Sequence, residues 1–184
     1  NQDQSSVEKI NYQEEITEEK DDKEIDVAAF QKDWLDLKDT HDFFMMLKKH
    51  AVSRTQAMRL APSDYHAQKI ESNKIVEALE KVANNQTPIM VFIGNKGMIQ
   101  IHTGPIKKLM WHDQWYNIMD ADFNMHLAMD KIDSTWIVRK PTEDGVVTSI
   151  EAFNKKGELI VQFFGKRKPG VPELEQWQQV IAEL

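Results

Sequence analysis

An α+β chain with its helices ahead of its sheet is predicted by three observations. The first half carries apolar residues at helical spacing between capping residues. From Pro88 the apolar period falls to two. After that, turns built on Gly, Asn and Asp recur at hairpin spacing. The expected architecture is N-terminal helices, an antiparallel meander sheet and a C-terminal helix.

The first helix is expected from Ala28 to Leu37, with Phe30, Trp34 and Leu37 on one face. Asp39 or Thr40 can cap a second, running through about Lys49. Ser53 can cap a third, which carries Arg54, Ala57, Met58 and Leu60 ahead of Pro62. Ser72 can cap a fourth, where Ile75, Val76, Leu79 and Val82 form a stripe. Ile89, Val91 and Ile93 then alternate, Gly94 to Gly97 turn, and Ile99 and Ile101 alternate back as a hairpin. Shorter strands are expected at 107–112, 115–119 and 123–129. Three stronger ones follow: Thr135 to Lys140, stopped by Pro141; Val146 to Phe153; and Glu158 to Phe164. Pro172 is expected to open a final amphipathic helix with Leu174, Trp177, Val180 and Ile181 inward.

Charge divides the 184 residues unevenly. Residues 1–26 hold ten acids against three lysines, which alone accounts for the formal net charge of −7. A segment so acidic and poor in aromatics cannot bury enough apolar surface to offset its ordering entropy. It is read as a disordered arm or linker, with residues 27–184 as the folded domain. Cysteine is absent, which excludes disulfides, thiolate catalysis, iron–sulfur clusters and thioether-linked haem. No run of about 18 apolar residues could span a membrane. The chain opens on Asn1, as a processed product or a piece of a longer protein would. Overall acidity, and the lack of a basic face with spaced aromatics, argue against nucleic acid as a partner.

The chemistry-bearing segment is Asp39-Thr40-His41-Asp42-Phe43-Phe44. A histidine in the first helical turn meets backbone N–H groups and the positive end of the helix dipole, which disfavour a second proton. A neutral imidazole keeps a lone pair for a metal, and the rings beside it can pack on a flat apolar ligand. A surface or packing histidine is the plainer reading of the same six residues. Between Gly165 and Gly170 stand Lys166, Arg167 and Lys168, either a solvated turn or a cradle for a carboxylated small molecule. Arg139-Lys140 ends another strand, and Arg54 lies thirteen residues after His41. The other histidines form no zinc-spaced pair. No Walker loop, G-x-G-x-x-G or G-x-S-x-G is present, so no nucleotide, flavin or hydrolase motif is visible and no catalytic residue is assigned.

Six segments in order resemble the bacterial hemin-degrading and haem-utilisation family of the HemS/ChuS/HmuS type. They are Asp39 to Phe44; Ser53-Arg54 with Gln56-Ala57 and Arg59-Leu60; Ile99 to Pro105; Asp122-Phe123-Asn124 with His126-Leu127; Trp136 to Thr142; and Phe163 to Gly170. Family members are about twice this long and consist of two similar halves, and this chain resembles the C-terminal one. The resemblance implies one half of a tandem-repeat fold in a cytoplasmic protein that receives imported haem. That protein would open the porphyrin to release iron, with an external electron donor, or carry haem to a separate oxygenase. Haem would be ligand or substrate, held between this half and a second homologous half or a second copy. By the same resemblance His41 matches the iron ligand; His50 and His66 are the substitutes among the remaining histidines. Arg54, Lys140 and Arg167 match basic pocket residues for the propionates, and Phe44 and Phe164 would line the ring. Phe164 stands where some relatives carry tyrosine, so one pocket hydrogen bond would be missing.

Overall fold

The structure, a computed structural model, describes residues 19–95 and 97–184. Most of the expected acidic arm lies outside the described residues. What is described of it, from Glu19, already touches the domain. The Glu19 carboxylate accepts from Ser53 Oγ at 2.7 Å and from Arg59 at 2.5 Å. Gln56 Nε2 donates to the Lys20 carbonyl, and Ile25 is buried. Composition suggested a start near Val27; specific polar contacts bring residues 19–26 onto the fold despite their acidity.

Five α-helices and nine strands make up the described chain: α1 Val27–Leu35, α2 Asp42–His50, α3 Arg54–Arg59, β1 Ala67–Ile70, α4 Lys74–Asn84, β2 Ile89–Gly94, β3 Ile99–Gly104, β4 Leu109–His112, β5 Trp115–Met119, β6 Asn124–Ala128, β7 Ser134–Thr142, β8 Gly145–Phe153, β9 Leu159–Gly165 and α5 Glu175–Ala182. Caps explain several boundaries. Asp26 accepts from Ala29 N–H to open α1, and Ser53 from Gln56 N–H to open α3. The α2 start falls later than expected. Asp39 accepts from the His41 N–H, Asp42 accepts from the Asp39 N–H, and His41 itself becomes the N-cap. Ser72 does not cap α4; its hydroxyl accepts from Thr135, and Asn73 takes the cap position. Similarly, α5 begins at Glu175 rather than Pro172.

All strand pairing is antiparallel, in a six-stranded sheet ordered β1-β7-β8-β9-β2-β3 and a three-stranded sheet β4-β5-β6. The expected hairpins are present, but β9 closes back on β2, so the large sheet departs from chain order there. Strand β1, Ala-Gln-Lys-Ile, has no counterpart among the expected elements, because a four-residue strand carries almost no period-two signal. Pro141 does not stop β7. It pairs with Val146 next to the hairpin turn, where its lost N–H is cheap to forgo.

The large sheet is packed on both faces except along its β3 edge. One face, with Ile89, Val91, Ile150 and Phe163, packs on α4, α5 and the inner face of the small sheet. The other, with Val138 and Phe153, packs on α1–α3 through Phe30, Trp34 and Phe43. Gly165 ends β9 against α5, where a Cβ would fall 2.6 Å from Trp177 Cβ.

Candidate functional site

Alternation along the strands sets the candidate site on the sheet face that carries the helices. Lys140 on β7, Ser149 and Glu151 on β8, Phe164 on β9 and Phe92 on β2 share that face through their pairings. The helices cover its β7 side. On its β3 side Ile99 and Ile101 remain more than half exposed. The result is an apolar wall that runs from a buried charged cluster out to solvent.

Glu151 is the centre of that cluster and is fully buried. Its oxygens accept from Lys140 Nζ at 2.7 Å, Ser149 Oγ at 2.9 Å and Arg54 Nη1 at 3.1 Å. Burial alone would raise its pKa, but the Lys140 and Arg54 charges and these hydrogen bonds outweigh it and hold the carboxyl well below its usual range. Burial pushes the Lys140 ammonium down while Glu151 opposes that. Both cations also stand over the Phe43 ring, Lys140 at 4.4 Å and Arg54 at 5.6 Å from its centroid. Glu151 was missed in the sequence. The available signal was an acid at an inward position of a strand otherwise built from buried residues, which demands a cationic partner.

His41 stands at the N-terminus of α2 with its side chain 95% exposed. Asp39 Oδ1 takes both the His41 backbone N–H, at 2.8 Å, and the ring Nδ1, at 2.5 Å. Those bonds, backbone first, keep the Asp39 carboxyl below its ordinary value, with Arg167 contributing at longer range. A carboxylate is acceptor-only, so a neutral His41 carries its proton on Nδ1, with the Nε2 lone pair facing away. The nearest charged partner of this imidazole is thus a carboxylate, a contact that the helix-dipole argument does not include.

The other predicted residues divide. Arg54 donates to Glu151 and is itself part of the cluster, with its side chain 12% exposed. Lys140, expected at a ligand's edge, is instead only 3% exposed and committed to Glu151, because its strand position lies under Phe43. Arg167 donates to Asp144 Oδ2 at 3.1 Å in the β7–β8 turn, and the same oxygen accepts the Gly170 N–H. That turn also binds the loop before α2, through Glu143 N–H to the Lys38 carbonyl. His41 and Arg167, far apart in sequence, thus share one end of the fold. Phe44 is half-buried with Lys48 over its ring at 4.6 Å, and Phe43 rather than Phe44 faces the charged cluster. Phe164 meets Phe92 edge-on at 5.4 Å on the wall. The substitutes are engaged elsewhere: His50 Nε2 lies 2.6 Å from Asp33, and His66 Nδ1 bonds Ser63 Oγ. Among the described residues no three His, Cys, Asp or Glu side chains gather to hold a metal ion, and no helix is long and apolar enough to cross a membrane. A metal bound at His41 must bring most of its coordination with it.

Comparison with known proteins yields one consistent group. The family model for the "Haemin-degrading HemS.ChuX domain" matches residues 51–184. The hemin transport protein HmuS of Yersinia pestis is 39% identical over 159 residues, covering 86% of this chain and 46% of that protein. The crystal structure of apo-PhuS, a heme-binding protein from Pseudomonas aeruginosa, superposes with a TM-score of 0.88 at 47% identity over 91% of this chain and 48% of that one. The Escherichia coli O157:H7 heme-degrading enzyme ChuS gives 0.84 at 38% identity over 86% and 47%. The chain spans about half the length of the curated relatives it matches.

Proposed function

The chain belongs to the haemin-degrading HemS/ChuX family, and from that premise we propose that it binds haem through His41 as one half of a cytoplasmic haem-degrading protein. The observation that supports this most directly is the Asp39–His41 bond, which orients an exposed imidazole with Nε2 available. One protein ligand is enough for haem iron, because the porphyrin supplies four nitrogens. The wall of Phe164, Phe92 and Ile101 suits the apolar ring, and this reading assigns the propionates to Arg54 and Arg167, each of which also pairs with a carboxylate of the chain. Lys140 adds positive potential from beneath rather than a contact. In this reading haem is substrate. This half binds and orients it, excludes water from one face, and needs an outside electron donor.

A second reading is carriage of haem to a separate oxygenase. It is favoured by the exposure of His41, which would let haem leave without a rearrangement of the fold. Hemin is loaded anaerobically, then reductant and oxygen are added with catalase present, and spectra are recorded. Bleaching with a stoichiometric bile pigment and released iron supports degradation. A persistent Soret band supports carriage. A chain that binds no hemin overturns both.

A further inference from the structure

The outward face of the small sheet holds a second imidazole prepared in the same way. In register, Met110 of β4, Asn117 of β5 and His126 of β6 form one row across it, and His112 and Trp115 form the next. With Met119 they line an open, mostly apolar cavity of about 490 Å³. The opposite face of β5, Tyr116 and Ile118, is buried in the core, so this side is the one left to solvent.

Asn117 sets the tautomer of His126. Asn117 is 4% exposed, and its amide nitrogen donates to both the Met110 and the Trp115 carbonyls, each at 3.1 Å. Both amide hydrogens are then used, which fixes the orientation of the amide and turns its acceptor-only oxygen to His126. His126 Nδ1 lies 2.7 Å from that oxygen and must be the donor. A neutral His126 therefore carries its proton on Nδ1, with the Nε2 lone pair on the far side of the ring.

Donor chemistry narrows the ligand. Thioethers, an indole and a second imidazole line the cavity together with His126, and no carboxylate is among the lining residues, which disfavours magnesium or calcium. A bare soft metal ion would not use a cavity of this size. A flat apolar ring bearing its own metal would. Met119 N–H donates to the Lys108 carbonyl at 2.8 Å, so the β4–β5 ladder extends past β4 and sets Lys108 at a register position beside Met119. A lysine there can meet a carboxylate on the ring's edge.

We propose that this cavity is a second, lower-affinity site for a carboxylated metalloporphyrin, ligated by His126 and separate from the His41 site. The inference rests on the functional reading for the porphyrin and its iron; the cavity itself supplies the imidazole and the apolar lining. Two sites on one chain would let haem be received at one and held at the other.

Native mass spectrometry counts hemin per chain, and paramagnetic broadening of indole N–H signals locates it. Two hemins are expected at saturation, with the Trp115 signal broadened while that of buried Trp34 is spared in the His41→Ala chain. His126→Ala should reduce the count to one and restore Trp115, and His41→Ala should also leave one, at Trp115. Loss of the His41 site alone would sink the functional reading and spare this one. The second site is overturned if His126→Ala leaves the count unchanged, or if Trp115 is never broadened. It is equally overturned if Trp115→Asp, which sets a carboxylate in the cavity, leaves the hemin count unchanged. Zinc alone and metal-free protoporphyrin serve as controls. Binding of either as tightly as hemin would refute the need for ring and metal together.

Discussion

Lys140 and Glu151 face each other at 2.7 Å with 3% and 0% of their side chains exposed, beneath the ring of Phe43. The pair links β7 to β8, and Arg54 brings α3 to the same carboxylate. The helical layer that carries His41 is thereby registered against the sheet that carries Phe164. Buried charge of this kind does little for stability compared with apolar packing, but half of such a pair cannot be removed cheaply.

Glu151→Gln should therefore destabilise the chain by about 3–5 kcal/mol, since it leaves Lys140 buried without its counter-charge. Glu151→Gln with Lys140→Met should recover much of that loss. Urea denaturation of the single and double variants measures both. A single variant as stable as the parent would show that the ammonium sheds its proton or finds another partner.

How much of this was legible in the sequence depends on the range of the interaction. His41 and the basic strand ends could be picked out by local pattern and by resemblance, and the hairpins by period. The partners that define them could not. Asp144 for Arg167, Glu151 for Lys140 and the β9–β2 closure are long-range pairings that leave no local periodicity. The Asp39 contact is local, yet it was hidden because Asp39 reads as a cap residue in its own right.

Asp39→Ala should weaken hemin binding by roughly ten- to a hundredfold, the scale on which partners of metal-ligating histidines act. His41→Ala should cost at least as much and change the iron's ligand spectrum. Asp39→Asn, which can still accept from Nδ1, should fall between the parent and Asp39→Ala. Hemin titration followed at the Soret band gives all three. Equal affinity for Asp39→Ala and parent would remove the orienting role.

The propionate assignment now separates its three cations. Arg54→Ala and Arg167→Ala should weaken hemin more than hemin dimethyl ester, by up to about 1.5–3 kcal/mol for a charge-assisted contact. Lys140→Ala should act mainly on stability, because its ammonium is turned to Glu151. Loss of affinity equal for acid and ester, in either arginine variant, would make that arginine structural.

Acid should release the segment that begins at Glu19 before it unfolds the domain. Hydrogen bonds from Arg59 first, then Ser53 and Thr55, hold the Glu19 carboxyl at about 2 against an ordinary 4.5, despite some opposing burial. A folded-state pKa depressed in this way gives stability that is full above pH 4.5 and is lost as pH falls toward 2. Arg59 is 45% exposed, so solvent screening limits the clamp to about 1 kcal/mol or less. Amide exchange at residues 20–25 should accelerate across that window while β7–β9 stay protected. Arg59→Ala should produce the same release at neutral pH, and exchange that is flat with pH would contradict the clamp.

The apolar wall gives the most discriminating test of where the ring lies. Ile99 and Ile101 are 57% and 54% exposed on the edge strand, and Phe92, opposite Ile101, carries the wall inward to Phe164. An exposed isoleucine contributes little to folding, so Ile101→Asp should leave the melting temperature nearly unchanged. If the porphyrin packs on this wall, the same change sets a carboxylate against an apolar ring and removes buried area, and hemin affinity should fall about tenfold or more. His41→Ala and Ile101→Asp would then act on one ligand, and combining them should cost less than the sum of the two. Additive losses would place the ring away from the wall. An effect seen only when the second half is supplied would show that the wall is completed by that half, and that this chain alone holds haem chiefly through its imidazole.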